Sequence, residues 1–276
     1  YDETVIPTIG VEPGRIDLSG MDTHAWVDAP LAVSDNRWPV IVYTPGASVP
    51  RSFGTILVGE LASRGYVVVT VDHTHEAAAV EFPDGRVITE QLTDMNAETA
   101  LQMLDVRVDD VRYVLDQLTA LQKGDRHDVV DLDLPEGLPD ALDLAQVGII
   151  GHSAGGATAA QAMYEDARFA AGINMDGSLG YMPDDLLPVV QEGLHRPFML
   201  INAGYNDQGV DSHLTASDRG LFWEHSSGWK IDISIPHGSH FSLIDHQYIL
   251  PELSERLSLS ARVTENSVGT AAPEKV

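Results

Sequence analysis

The chain has 276 residues, of which 42 are acidic and 16 basic, so its formal net charge is −26, and it contains no cysteine. A negative charge of this size opposes binding to nucleic acid and to anionic lipid surfaces. Without cysteine, disulfides, thiolate nucleophiles and thiolate metal sites are excluded. No apolar run reaches the roughly 18 residues of a transmembrane helix. We therefore expect a globular protein with neither a transmembrane segment nor a nucleic-acid partner.

The length fits one large α/β domain, and we expect residues 1–276 to form a single domain. The chain begins at Tyr1 rather than methionine. We therefore expect a secreted protein whose signal has been removed or trimmed, with a cytoplasmic protein as the alternative.

Short apolar runs rich in β-branched residues alternate with longer segments of helical periodicity. This alternation is typical of a mainly parallel central sheet with helices on both faces. The predicted strands are residues 40–43, 66–71, 147–150, 171–175, 198–202 and 231–235. Apolar residues at three- and four-residue intervals predict helices over residues 55–64 and 98–121.

The remaining segments are less regular. Residues 124–143 are acidic with two prolines and predict a surface excursion. Residues 177–195 are the candidate for a small cap, and the polar residues 264–276 for a frayed tail. The acidic residues are not accompanied by a calcium-binding loop pattern, so we expect a solvated charged surface and no metal site.

The motif Gly151-His152-Ser153-Ala154-Gly155 lies between a predicted strand and a helical segment. In a parallel sheet, reactive groups collect at the carboxyl ends of the strands, and a serine there points out of a sharp strand-to-helix turn. The two glycines remove side chains that would collide across such a turn. The motif predicts Ser153 as a nucleophile and the Ala154 N–H as one oxyanion donor. The positive N-terminal end of the following helix would lie beneath the negative charge that develops on the oxyanion.

A second oxyanion donor is expected from the loop after the first predicted strand. That loop reads Thr44-Pro45-Gly46-Ala47-Ser48, and backbone N–H groups in this position can complete an oxyanion hole beside a serine nucleophile on such a turn. We predict the Ala47 N–H. The alternative, a plain Pro-Gly turn, explains the bend but not its place directly after this strand.

The base is expected after the last predicted strand, where the chain reads Pro236-His237-Gly238-Ser239-His240-Phe241. Gly238 and Ser239 let the loop turn back toward the serine, which favours His240 over His237. His152 adjoins the nucleophile, but its side chain is expected to point away and to pack.

Two aspartates are candidates for the acid that orients the base. Asp207 follows the predicted strand 198–202, which is the commoner arrangement, and Asp176 follows the strand 171–175. Both lie at strand carboxyl ends in the chain order serine, acid, histidine, so the residues alone leave the choice open.

Several segments together are similar to one known family. They are Thr44-Pro45-Gly46-Ala47, residues 61–69, Val71-Asp72-His73, Gly151-His152-Ser153-Ala154-Gly155-Gly156, Asn174-Met175-Asp176-Gly177 and His240-Phe241-Ser242. Over residues 39–245 the chain thus resembles the plasma-type platelet-activating-factor acetylhydrolases and their bacterial relatives. Two features depart from this family. A small alanine follows the nucleophile, and the sequence shows no clear apolar surface helix for docking on lipid particles.

The resemblance implies an α/β-hydrolase fold and hydrolysis of lipid or short-acyl esters without a cofactor. It also implies Asp176 as the acid, because the family's acid ends the strand after the nucleophile. His240 is then the base, and Ala47 and Ala154 occupy the positions of the family's oxyanion donors.

Other interpretations compete with this one. A second resemblance, to actinobacterial lipases and cutinases including polyester hydrolases, would make Asp207 the acid, although their usual terminal disulfide is impossible here. A catalytically silent hydrolase fold used for binding is the third interpretation, and the serine, histidine and acid set argues against it. The candidates for a substrate pocket are Tyr181, Phe222 and Trp223.

Overall fold

The computed structural model describes residues 23–32, 34–92, 96–126, 134–180 and 186–250. The strands of this part of the chain are β1 (Trp38–Thr44), β2 (Val67–Thr70), β3 (Ala79–Glu81), β4 (Val87–Thr89), β5 (Leu142–His152), β6 (Phe169–Met175), β7 (Phe198–Ala203), β8 (Tyr205–Asn206), β9 (Gly209–Val210) and β10 (Lys230–Ile235). The helices are α1 (Thr55–Ser63), α2 (Ala97–Gln122), α3 (Leu138–Ala141), α4 (Ala154–Glu165), α5 (Pro188–Glu192) and α6 (Ser217–His225).

Six strands form one parallel sheet in the order β10-β7-β6-β5-β1-β2. Parallel neighbours require a crossover connection, and helices supply most of these connections here. All six carboxyl ends therefore meet at one edge of the sheet. The pairings Thr44 with Gly151 and His152 with Met175 bring the ends of β1, β5 and β6 together there.

The alternation of side chains along β1 explains why helices cover both faces. Val40 and Val42 face one side, where they join a core cluster with α2 and α4. Ile41 and Tyr43 face the other side, where the apolar residues of α1 pack against them. A strand that is apolar on both faces needs a layer on each. The predicted α/β-hydrolase architecture is confirmed.

Helix α2 packs one apolar stripe on the sheet. It begins with a capping box in which the Asn96 side chain accepts from the Thr99 N–H and the Thr99 hydroxyl accepts from the Asn96 N–H. Its buried residues recur at helical spacing, and they are Ala100, Met103, Leu104, Arg107, Val108, Val111 and Leu115. One of them, Arg107, is charged.

The structure modifies several boundaries. The predicted excursion 124–143 contains α3 and the first two residues of β5, and residues 127–133 lie outside the described part. In the predicted cap segment, α5 buries Val189 and Val190 in the core, while residues 181–185 are not described. The hairpins β3–β4 and β8–β9 are too short to show as apolar runs. The predicted tail 264–276 also lies outside the described residues.

The stripe of α2 leads to a stability prediction. Leu104 is 2% exposed, and Leu104→Ala leaves a cavity beneath the sheet, so we expect a loss of about 2–5 kcal/mol in the free energy of unfolding. Val106 on the same helix is 57% exposed, and Val106→Ala is expected to change it by less than about 0.5 kcal/mol. Urea unfolding of both variants measures the difference, and equal losses would contradict this packing.

Candidate active site

Ser153 occupies a strained turn between β5 and α4. Its backbone has φ 56° and ψ −123°, a combination that residues other than glycine rarely adopt. The Ser153 N–H donates to the Met175 carbonyl at 2.8 Å, and the Ser153 carbonyl accepts from the Gly156 N–H at 2.8 Å. These bonds anchor the turn to β6 and to α4.

Close approach of backbone explains the two glycines of the motif. A Cβ on Gly151 would lie 1.9 Å from the Gly155 carbonyl oxygen, and a Cβ on Gly155 would lie 2.1 Å from the Thr44 carbonyl oxygen. Both distances are far below van der Waals contact, so no larger residue fits. The turn can therefore pack directly against the end of β1.

The two predicted oxyanion donors belong to this turn and to the loop after β1. Ala154 is the first residue of α4, so its N–H has no acceptor within the helix. Ala47 follows Gly46, whose Cα lies so near the turn that a Cβ there would be 3.2 Å from the Ser153 Cβ. Both alanines are partly exposed, as groups that meet a substrate must be.

His240 and Asp176 form a hydrogen-bonded pair at the same edge. The His240 Nδ1 lies 2.6 Å from Asp176 Oδ2, and Asp176 Oδ1 accepts from the Ala203 N–H at 2.9 Å. Asp176 directly follows β6 with φ 59°, a second unusual backbone at a strand end. Because the carboxylate accepts at Nδ1, that nitrogen carries the proton and Nε2 is the nitrogen left to act as a base.

Opposing effects act on the pKa of Asp176. Burial raises it, but the hydrogen bonds from His240 and Ala203 and the charges of His240 and Arg219 lower it more, so the pKa lies below the ordinary value. Arg219 is itself buried and donates to Asn202 at 2.9 Å and to Asp211 at 2.9 Å. The carboxylate is therefore ionised at neutral pH.

The other acid and base candidates lie at the surface. Asp207 lies in the turn between β8 and β9 and is exposed, and His237 is also exposed. The acid that contacts His240 in the structure is Asp176.

The structure gives His152 more than a packing position. It is fully buried, and its Nε2 lies 2.8 Å from the His240 carbonyl oxygen. The centroids of the His152 and His240 rings are 4.6 Å apart. A carbonyl only accepts, so Nε2 carries the proton. Burial lowers the pKa of His152 to about 3, which keeps the ring neutral. His152 therefore fixes the backbone of the loop that carries the base without adding charge.

The burial of Phe222 contradicts its predicted place in a substrate pocket, whereas Trp223, also on α6, is partly exposed. Phe222 is fully buried and packs edge-on against Phe198 with ring centroids 5.3 Å apart. Trp223 stacks on His213 at 4.0 Å. Phe222 thus has no surface left for a substrate, and Trp223 is held against the protein by this stack. Tyr181, the third candidate, lies outside the described residues.

Asp245 ties the segment after His240 to the start of α1. Its N–H donates to the Phe53 carbonyl at 2.8 Å, and its Oδ1 accepts from the Ile56 N–H at 3.2 Å. Burial raises the pKa of Asp245 to about 7, although the backbone donors of Ile56 and Thr55 act in the opposite direction.

This raised pKa predicts a pH-dependent stability. Between about pH 4 and pH 7 the folded protein keeps a proton on Asp245 that the unfolded chain releases, so stability falls as the pH rises. Asp245→Asn keeps a side-chain acceptor for the Ile56 N–H and removes the ionisation. We expect the variant to be more stable than the parent at pH 8, on the order of 2–4 kcal/mol, and similar to it at pH 4.

Urea unfolding of Asp245→Asn across this pH range measures the effect. The control is Asp105→Asn, since Asp105 is exposed on α2. A stability difference for Asp245→Asn that is the same at pH 4 and pH 8 would show that this carboxyl does not titrate with folding.

Within the described residues, no group of three or more histidine, aspartate or glutamate side chains is arranged to hold a metal ion. Across the same residues, the helices include none with the length and apolar character needed to cross a bilayer.

The all-parallel sheet, the strained serine after its central strand and the His-Asp pair at the same edge define an α/β-hydrolase. The family model for platelet-activating factor acetylhydrolase, isoform II, matches residues 15–259. The chain belongs to this family.

Individual relatives agree with this family. A probable 1-alkyl-2-acetylglycerophosphocholine esterase of Arthroderma benhamiae is 29% identical, over 89% of this chain and 64% of its own length. The platelet-activating factor acetylhydrolase of Cavia porcellus is 26% identical, over 86% of this chain and 55% of its own. A solved ferulic acid esterase from Streptomyces cinnamoneus is 31% identical with a TM-score of 0.67, over 87% of this chain and 63% of that one. The chain thus spans less than two thirds of each.

Proposed function

We propose that this protein is a serine carboxylic ester hydrolase that works through an acyl-enzyme, with Ser153, His240 and Asp176 as its triad. The observation that carries the proposal is the hydrogen bond of 2.6 Å between His240 and Asp176, at the sheet edge where the strained turn presents Ser153. An oriented imidazole at the same sheet edge as a serine on such a turn fits the arrangement that acyl transfer requires.

The proposed first step is attack of the Ser153 Oγ on the ester carbonyl carbon, while His240 Nε2 takes the hydroxyl proton. The carbonyl oxygen becomes negative and accepts from the N–H groups of Ala47 and Ala154. The intermediate then collapses, the carbon–oxygen bond to the alcohol breaks, and His240 gives its proton to the leaving alkoxide. Asp176 remains ionised throughout and stabilises the imidazolium.

The second step repeats this chemistry with water. His240 removes a proton from water, the hydroxide attacks the acyl-serine, and Ser153 leaves with the proton held by His240. The products are a carboxylic acid and regenerated enzyme. No metal ion or organic cofactor takes part in the proposed reaction.

Lipid or short-acyl esters are the proposed substrates. Two relatives are named as acetylhydrolase or acetylglycerophosphocholine esterase, and the ferulic acid esterase extends the group to an ester of a different acid. Cutinase-like polyester hydrolysis is the alternative, but its expected acid, Asp207, is exposed in the β8–β9 turn. Secretion of the protein stays a prediction.

The ester hydrolase proposal is tested with nitrophenyl esters of increasing acyl length and a fluorescent organophosphonate. We expect hydrolysis by the wild-type protein and covalent labelling at Ser153. Ser153→Ala removes the nucleophile, so labelling is expected to vanish and kcat to fall by about 10⁴-fold or more. A folded wild-type protein that neither hydrolyses any ester nor reacts with the phosphonate would favour the silent binding fold instead.

The identity of the acid is tested by two matched substitutions. In Asp176→Asn the side chain no longer stabilises an imidazolium and permits the wrong tautomer of His240, so we expect kcat to fall by about 10²- to 10⁴-fold. Asp207→Asn, at an exposed turn, is expected to leave kcat within about twofold. Steady-state kinetics on a single nitrophenyl ester compares the variants. A large loss confined to Asp207→Asn would reverse the assignment.

A further inference from the structure

Among the described residues, Arg107 is the largest side chain that is fully buried, with 1% of its surface exposed. It projects from the apolar stripe of α2 toward the loop after β1, which is the loop that carries Ala47. A buried guanidinium is costly unless each of its N–H groups finds an acceptor. The position of its acceptors therefore shows what this charge does in the fold.

One side of the guanidinium is neutralised by Glu76. The Nε of Arg107 lies 2.7 Å and 2.9 Å from the two carboxylate oxygens of Glu76, and Nη2 also donates to Glu76 Oε1. Glu76 is itself buried, in the loop after β2. This planar paired contact holds the guanidinium in one orientation, which a single ammonium could not achieve.

The other side of the guanidinium binds the loop after β1. Nη1 donates to the Pro45 carbonyl at 2.8 Å, and Nη2 donates to the Gly46 carbonyl at 3.0 Å. A longer contact of 3.5 Å joins Nη1 to the Thr44 hydroxyl. That hydroxyl also meets the buried His73 at 2.9 Å, and His73 in turn contacts Asp110 at 2.7 Å. Two consecutive carbonyls of the loop are thus fixed from beneath.

Peptide geometry connects this contact to the reaction. The Gly46 carbonyl and the Ala47 N–H belong to one planar unit, and this peptide bond is trans. In a trans peptide the C=O and the N–H point in opposite directions. Holding the Gly46 oxygen on Arg107 therefore turns the Ala47 N–H away from Arg107. Gly46, whose oxygen contacts Arg107, also adjoins the nucleophile, since a Cβ on Gly46 would lie 3.2 Å from the Ser153 Cβ.

We propose that Arg107, held by Glu76, is a positioning residue that aims the Ala47 N–H into the oxyanion hole. The cation also draws electron density onto the Gly46 oxygen, which makes the N–H of the same peptide a stronger donor. Because the donor is preorganised, it does not have to reorient when the charge develops on the substrate oxygen. This inference rests on the proposed ester hydrolysis and extends it to a residue that never touches substrate.

The test uses Arg107→Lys, which keeps the charge opposite Glu76 but loses the two-pronged contact with Pro45 and Gly46. The readouts are kcat and KM on a nitrophenyl ester, the affinity for a trifluoromethyl ketone and the melting temperature. The ketone forms a tetrahedral serine adduct with an oxyanion, so its affinity reports on the hole. We expect kcat to fall about 10- to 100-fold, KM to stay within about threefold, and ketone affinity to fall in parallel with kcat.

Arg196→Lys is the matched control. Arg196 also uses its guanidinium to hold backbone carbonyls, those of Met163, Asp166 and Phe169, at the opposite end of the sheet. We expect this variant to lose melting temperature without loss of kcat or ketone affinity. A folded Arg107→Lys with wild-type kcat and ketone affinity would overturn the proposal. So would losses of activity in both variants that simply follow their losses in melting temperature.

Glu76→Gln decides the matter if Arg107→Lys does not fold. The amide retains the shape of the side chain and weakens its hold on the guanidinium, so kcat and ketone affinity should fall together, and no change in either would overturn the proposal. Failure of the hydrolase proposal is distinguishable, because the wild-type protein would then show neither ester turnover nor phosphonate labelling.

Discussion

The backbone of Ser153 is the constraint on which the rest of the site depends. A positive φ at a residue with a side chain costs on the order of 1–3 kcal/mol, and neighbouring structure must offset it. The Ser153 N–H bonds to β6, and the motif glycines let the turn press on the backbone of β1. Three adjacent strands are therefore needed to hold one serine. Asp176, at the end of the neighbouring strand β6, also has a positive φ.

Two buried ion pairs and a neutral histidine lie around this edge of the sheet. Arg107 and Glu76 neutralise each other beneath the loop after β1. Arg219 and Asp211 do the same behind Asp176, and the charge of Arg219 contributes to the low pKa of that acid. His152, against the catalytic candidate His240, stays neutral. Cations thus lie where a carboxylate or a carbonyl oxygen must be held.

The chain as a whole carries a formal net charge of −26. In the part of the chain that the structure describes, acidic residues such as Asp105 and Asp207 are exposed, whereas Arg107 and Arg219 are buried in ion pairs. Such a surface favours solubility and discourages contact with anionic membranes. The site itself depends on short-range contacts, which bulk charge influences little.

The sequence motifs of the candidate site could be recognised because each spans only a few consecutive residues. The turn around Ser153 needs glycines at fixed spacing. Each of the six parallel strands contains an apolar run long enough to recognise, and α2 shows apolar residues at helical spacing. Arg107 also has a signature in the sequence, because it is a charged residue in the apolar stripe of α2, between Leu104 and Val111. By contrast, β3, β4, β8 and β9 have two or three residues each, too few for periodicity.

The residues alone left the acid open, because both aspartates follow strands in an allowed chain order, and the family resemblance favoured Asp176. The contact of Asp176 with His240 is visible only in the tertiary structure. It also showed that Phe222 is core, since an aromatic residue on a helix has the same pattern whether it faces a pocket or a sheet. The contacts of Arg107 with Pro45 and Gly46 span more than sixty residues. No local pattern encodes such contacts, because they exist only once α2 has packed against the sheet and the guanidinium, shut away from water, must find acceptors in whatever backbone lies beside it.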